Sequence, residues 1–111
     1  MVEGAYIDKY SHNNNYHDTM CEVRSLIDAI EYLYEYASDG KTAIFITADH
    51  ETGGLQRADG ETLGEYTSTN HTPTPVPLFV KNYNLQLADY EDGAYPENTI
   101  VFDACKSIIL G

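Results

Sequence analysis

Glu3, Asp8 and His12 follow one another at steps of five and four residues, Asp49 and His50 are adjacent, and His71 stands just ahead of a proline-rich segment. Imidazoles beside carboxylates make up the donor set that zinc accepts, whereas a hard carboxylate completed by water suits magnesium. Spacing alone leaves two readings open. Either distant segments assemble a metal site, or these are polar loop and surface groups. His17 belongs to no such group and reads as a surface residue.

The elements that must position these residues can be traced from the apolar pattern. Residues 1–8 start apolar, turn polar at once and read as a short strand; residues 11–18, rich in His and Asn, read as a loop. Asp18 or Thr19 then caps a helix, because a short side-chain oxygen can accept a free amide of the first turn. Met20, Val23, Leu26, Ile27, Ile30, Leu33, Tyr34 and Ala37 recur at three- and four-residue steps, with Arg24, Asp28, Glu31 and Glu35 opposite them. This is an amphipathic helix ended by Asp39-Gly40, with Tyr32 and Tyr36 flanking its apolar stripe.

The continuous apolar run 42–47 suits a strand covered on both faces, as in a parallel sheet. It delivers Asp49-His50 to a strand end, where open α/β sheets place their ligands. Gly53-Gly54 breaks the run, and 57–70 is polar without period. Pro73, Pro75 and Pro77 stiffen the next segment by fixing the backbone and removing donors. Leu78-Phe79-Val80 reads as a second strand and 84–97 mostly as loop. Asn98 or Thr99 then caps a last helix with Ile100, Val101, Ala104, Cys105, Ile108 and Ile109 on one face. The order strand, helix, strand, strand, helix is α/β, read here as a single domain over 1–111.

Composition narrows the partners. The 111 residues carry 18 Asp+Glu against 6 Lys+Arg, for a formal net charge of −12. Nucleic acid and anionic membranes both demand Lys and Arg, so neither is the expected main partner. No apolar run approaches the length of a membrane span. With 42% apolar and 22% charged residues the chain has the make-up of a folded domain. Cys21 lies on the polar face of the first helix and Cys105 on the apolar face of the last, so a disulfide between them is not expected.

The wording of the motifs resolves the ambiguity left by spacing. Met1-Val2-Glu3-Gly4-Ala5-Tyr6-Ile7-Asp8-Lys9-Tyr10-Ser11-His12 resembles the alkaline phosphatase segment of the form VEGxxIDxxxH. Thr47-Ala48-Asp49-His50-Glu51-Thr52-Gly53-Gly54 resembles that family's TADHxxGG, and His71-Thr72 ahead of Val76-Pro77-Leu78-Phe79 resembles its HT…VPxF element. The three stand in the family's order and cover essentially the whole chain, matching the C-terminal part of a longer enzyme.

The resemblance implies a partial alkaline-phosphatase-like α/β core, Rossmann-like and three-layered in the parent, here with two main helices and a few strands. It implies that Asp8, His12 and His71 bind a first zinc, that Asp49 and His50 bind a second, and that Glu3 binds magnesium. Lys9 takes a weak electrostatic role near the phosphate. The implied reaction is hydrolysis of phosphate monoesters through a phosphoserine, with the two zinc ions activating the serine and the water. Superfamily relatives that are phosphodiesterases or phosphomutases, and a non-catalytic metal-binding module, are the alternatives. In the family the serine nucleophile, a phosphate-binding arginine and further metal ligands lie upstream, and no segment here matches them. Ser11, Ser25, Ser38, Ser68 and Ser107 lack the required surroundings. The expected partners are thus the N-terminal part of the enzyme and its phosphate-monoester substrates, with a homo-oligomer an open possibility. The chain alone is expected to be inactive, and the parent to work in the periplasm or outside the cell.

Overall fold

The computed structural model describes residues 1–56, 64–83 and 97–110. They fall into two compact units, Met1–Tyr36 with His50–Thr74, and Ala37–Asp49 with Pro75–Gly111. The expectations for 57–63 and 84–96 lie outside the described residues.

The first unit opens with helix α1 (Ala5–His12) packed against the long helix α2 (Tyr16–Tyr36). The expected opening strand is therefore a helix. Eight residues make little more than two turns, too few for a helical period to separate itself from an apolar start. The expected loop 11–18 shrinks accordingly, since Ser11 and His12 finish α1 and α2 begins at Tyr16. Asn14 takes φ +53°, a left-handed conformation that asparagine tolerates better than most residues.

The cap of α2 is Asn15 rather than Asp18 or Thr19. Asn15 Oδ1 accepts the Asp18 amide at 3.2 Å, and its Nδ2 donates to Asp18 Oδ2 at 2.8 Å. The acidic residue read as the cap thus sits one turn in, where its amide and its carboxylate both pair with the side chain of the true cap. Thr19 is buried, donates its hydroxyl to the Asn15 carbonyl at 2.9 Å and accepts from Tyr66 at 2.9 Å. Buried Ser11 donates to the Ile7 carbonyl at 2.7 Å. Both hydroxyls are satisfied, as burial requires.

In the same unit two short strands, not foreseen from the sequence, pair antiparallel. With β1 (Ile44–Ile46) preceding them in the chain, they are β2 (Glu51–Thr52) and β3 (His71–Thr72), with Glu51 opposite Thr72 and Thr52 opposite His71. The Glu51 carboxylate ties the turn after β2, accepting the amides of Gly54 at 3.1 Å and Leu55 at 3.2 Å and the Thr72 hydroxyl. Burial pushes its carboxyl pKa up, but these hydrogen bonds prevail and hold it below the ordinary value.

The second unit is built on β1 and β4 (Phe79–Lys81), paired antiparallel with Ile44 opposite Lys81 and Ile46 opposite Phe79. The expected strands are present, but their pairing is antiparallel rather than parallel. A 3₁₀ turn over Ala37–Asp39 and Gly40 at φ +75° follow α2, where the Asp39-Gly40 stop was expected. Asn82 donates to the carbonyls of Ala37 and Thr42 at 2.7 and 2.9 Å. Helix α3 (Thr99–Leu110) occupies the expected place, and Tyr83 and Ser107 share a 3.0 Å hydroxyl contact. Ala104 is buried, whereas Cys105 is only partly covered. Cys21 is exposed, and neither cysteine forms a disulfide.

Candidate metal centre

Asp8 and His12 stand four residues apart in α1, which brings both side chains to one face. Strand pairing does the rest, because β3 seats His71 opposite Thr52. His12 Nε2 then lies 3.3 Å from Asp8 Oδ1, His71 Nε2 lies 3.5 Å from the same oxygen, and the two Nε2 atoms are 3.1 Å apart. Ligand atoms on a tetrahedral ion with bonds of about 2.0–2.1 Å stand about 3.3–3.4 Å apart, so the triangle has zinc-like edges. The side chains are 39%, 36% and 51% exposed for Asp8, His12 and His71, and the site is open to solvent.

Hydrogen bonds decide which imidazole nitrogens carry protons. The Thr69 carbonyl can only accept, so His12 Nδ1, at 2.6 Å from it, is the protonated nitrogen. Its Nε2 then offers a lone pair toward Asp8 and His71, the orientation expected of a metal ligand held by an outer carbonyl. His71 Nε2, 3.1 Å away, either donates its proton to that lone pair or, in its other tautomer, turns a second lone pair to the same place, where a cation would satisfy both. The donor set therefore fits zinc. The Thr52 hydroxyl hydrogen bond, joined by the neighbouring imidazoles, holds the Asp8 carboxyl below its ordinary value against partial burial.

His50 joins from just ahead of β2. Its ring stacks on His71 with centroids 3.5 Å apart, and Asp8, His50 and His71 can each offer a ligand atom within 4.8 Å of the others. Four of the residues singled out from sequence, Asp8, His12, His50 and His71, thus meet in the first unit. Asp49 is exposed in the second unit, where its carbonyl accepts from Asn98 at 2.9 Å. Glu3 is exposed and outside the cluster, among the described residues. Lys9 lies with its ammonium 4.5 Å from the centre of the Tyr6 ring. His17 is exposed and pairs with Asp18 at 2.9 Å. Sequence reading missed Thr52 and Thr69, because hydroxyls and carbonyls carry no motif of their own.

The sequence model of the alkaline phosphatase family matches residues 1–104. The chain is 44% identical over 57 residues to the repressible alkaline phosphatase of Saccharomyces cerevisiae, covering 50% of the chain and 10% of that protein. To alkaline phosphatase 3 of Bacillus subtilis it is 29% identical over 101 residues, covering 90% of the chain and 21% of the relative. Among solved structures it is similar to a mutant of TAB5 alkaline phosphatase described with magnesium bound, at a TM-score of 0.63 and 31% identity. That match covers 71% of this chain and 27% of the other. The chain spans only a small part of each of these relatives.

Proposed function

Since the chain belongs to the alkaline phosphatase family, we propose that it furnishes the metal-ligating part of a zinc- and magnesium-dependent phosphate-monoester hydrolase. The observation that carries this reading is the triangle of Asp8, His12 and His71, with edges of 3.3, 3.5 and 3.1 Å. These three residues hold one zinc. Asp49 and His50 contribute to a second, and Glu3 contributes to a magnesium site. When bound, such ions supply Lewis-acid chemistry, polarising phosphoryl oxygens and lowering the pKa of the attacking hydroxyl or water. The protein's own part is to orient: α1 aims Asp8 and His12, the Thr69 carbonyl keeps His12 Nε2 free of a proton, and β3 brings His71 to meet them.

Nucleophile and phosphate clamp are a different matter. The Ser11 and Ser25 hydroxyls donate to carbonyls of their own helices, at 2.7 and 3.2 Å, and Ser107 pairs with Tyr83. Neither the motif reading nor these contacts provides a serine poised for attack, so the 111-residue chain by itself turns over phosphate monoesters at background rate. The test is a zinc titration of the chelator-treated chain, followed by assay with a chromogenic phosphate monoester. His12→Ala and His71→Ala are each expected to weaken zinc binding by more than the about 10–100-fold that loss of an outer hydrogen-bond partner costs. Unchanged affinity in both variants would remove the ligand assignment. Robust turnover that survives both would show the chain to be catalytic without these ligands.

A further inference from the structure

Thr52 Oγ1 lies 2.6 Å from Asp8 Oδ1 and 3.1 Å from His50 Nδ1. A hydroxyl has one proton to donate and lone pairs to accept with, and an ionised carboxylate can only accept. The Thr52 proton therefore points at Asp8. The second contact must then run the other way, from the Nδ1–H of His50 to the Thr52 oxygen. From this arrangement we propose that Thr52 is a positioning residue whose single hydroxyl orients the Asp8 carboxylate and selects the His50 tautomer with its Nε2 unprotonated. The consequence for metal binding rests on the proposed function above, whereas the tautomer selection is a property of the chain's own atoms.

The location of Thr52 suits the role. It is partly buried in β2, directly opposite His71 in β3, and its hydroxyl reaches Asp8 of α1 and His50 just ahead of β2. Its β-branched side chain has few rotamers available, which holds the hydroxyl in place. Asp8 and His50 are assigned to different ions by the family pattern, so one hydroxyl joins the ligands of both. Valine keeps the shape and strand preference of threonine but strands the carboxylate without its donor and the His50 N–H without its acceptor. Serine keeps the hydroxyl.

The experiment uses the full chain, first chelator-treated and then titrated with zinc alone. Histidine ¹⁵N chemical shifts report the tautomer of His50 in wild type, Thr52→Val, Thr52→Ala and Thr52→Ser, with far-UV circular dichroism verifying that each is folded. Wild type and Thr52→Ser are expected to show His50 protonated at Nδ1. Thr52→Val and Thr52→Ala are expected to lose that preference and to bind zinc about 10–100-fold more weakly, with affinity restored to within a few-fold by serine. An unaltered His50 tautomer in the folded valine and alanine variants overturns the proposal, whatever happens to zinc affinity. If wild type binds no zinc yet its His50 tautomer depends on the hydroxyl, the positioning role stands and the metal reading falls.

Discussion

At Gly53 the backbone takes φ +92°, and an added Cβ would stand 2.4 Å from a ring carbon of Tyr66 and 3.2 Å from the Ser11 carbonyl oxygen. A side chain there meets both a disfavoured conformation and an occupied space, and backbone strain of this kind costs about 1–3 kcal/mol. The space belongs to Tyr66, whose hydroxyl donates to buried Thr19, while the Gly53 carbonyl accepts the amides of Thr67 and Ser68 at 3.0 Å. Gly53→Ala is therefore expected to lower the urea midpoint by an amount matching at least about 1–3 kcal/mol. Because Gly53 adjoins Thr52, zinc affinity should fall with it. An unchanged midpoint would show that Tyr66 moves aside freely. At this scale the cluster was legible, since Asp8, His12, His50 and His71, picked out by residue type and motif, meet in the structure. The Gly53-Gly54 pair was legible only as a break. That an aromatic ring packs on Gly53 depends on how 64–70 folds back, and no local pattern encodes it.

The start of α2 shows the same limit for an element. The apolar stripe from Met20 onward marked the helix, but its first turn carries Tyr16, His17 and Asp18 and adds nothing to that stripe, so the cap was placed three or four residues late. Helix α1 was missed for want of length, even though the four-residue step from Asp8 to His12 is a helical spacing. Asn15→Ala should cost about 1 kcal/mol, the usual loss for a side-chain cap, readable in urea unfolding. A cost near zero would mean that the Asn15–Asp18 exchange is incidental. Asp18 adds a pH dependence. A hydrogen bond from His17, helped by one from Asn15, holds its carboxyl below the ordinary value of 3.8. A carboxyl depressed in the folded state stabilises above its unfolded pKa and loses that contribution as pH falls through the folded value. Asp18→Asn should thus be less stable than wild type at about pH 5, with the difference narrowing at about pH 3. An equal difference at both would rule out the charged form as the source.

For the molecule as a whole, β1, β4 and the last helix were legible as apolar runs, whereas the antiparallel pairing of β1 with β4 was not, because a three-residue run does not state the direction of its neighbour. Helix α3 shows what periodicity leaves undecided. Its expected inner face is covered at Ala104 and partly at Ile100, Val101 and Cys105, yet Phe102, Ile109 and Leu110 are 69%, 80% and 72% exposed. A helix apolar on more than one side is the pattern of a helix covered on more than one side. Each such side chain gains about 1.5–3 kcal/mol on full burial, a strong incentive to find cover. The opposing force is the net charge of −12, which repels like molecules over a range set by salt. Screening shrinks from about 30 Å at 0.01 M salt to about 3 Å at 1 M, while apolar attraction persists. The isolated chain is therefore expected to self-associate as salt rises, with the average mass by light scattering growing between those two conditions. Phe102→Ser combined with Ile109→Ser and Leu110→Ser should abolish most of that growth without changing net charge. A wild-type chain that stays monomeric at high protein concentration and at both salts would show that these side chains drive no association. Growth undiminished in the triple variant would move the contact to another surface, with exposed Phe79 of β4 the next to test.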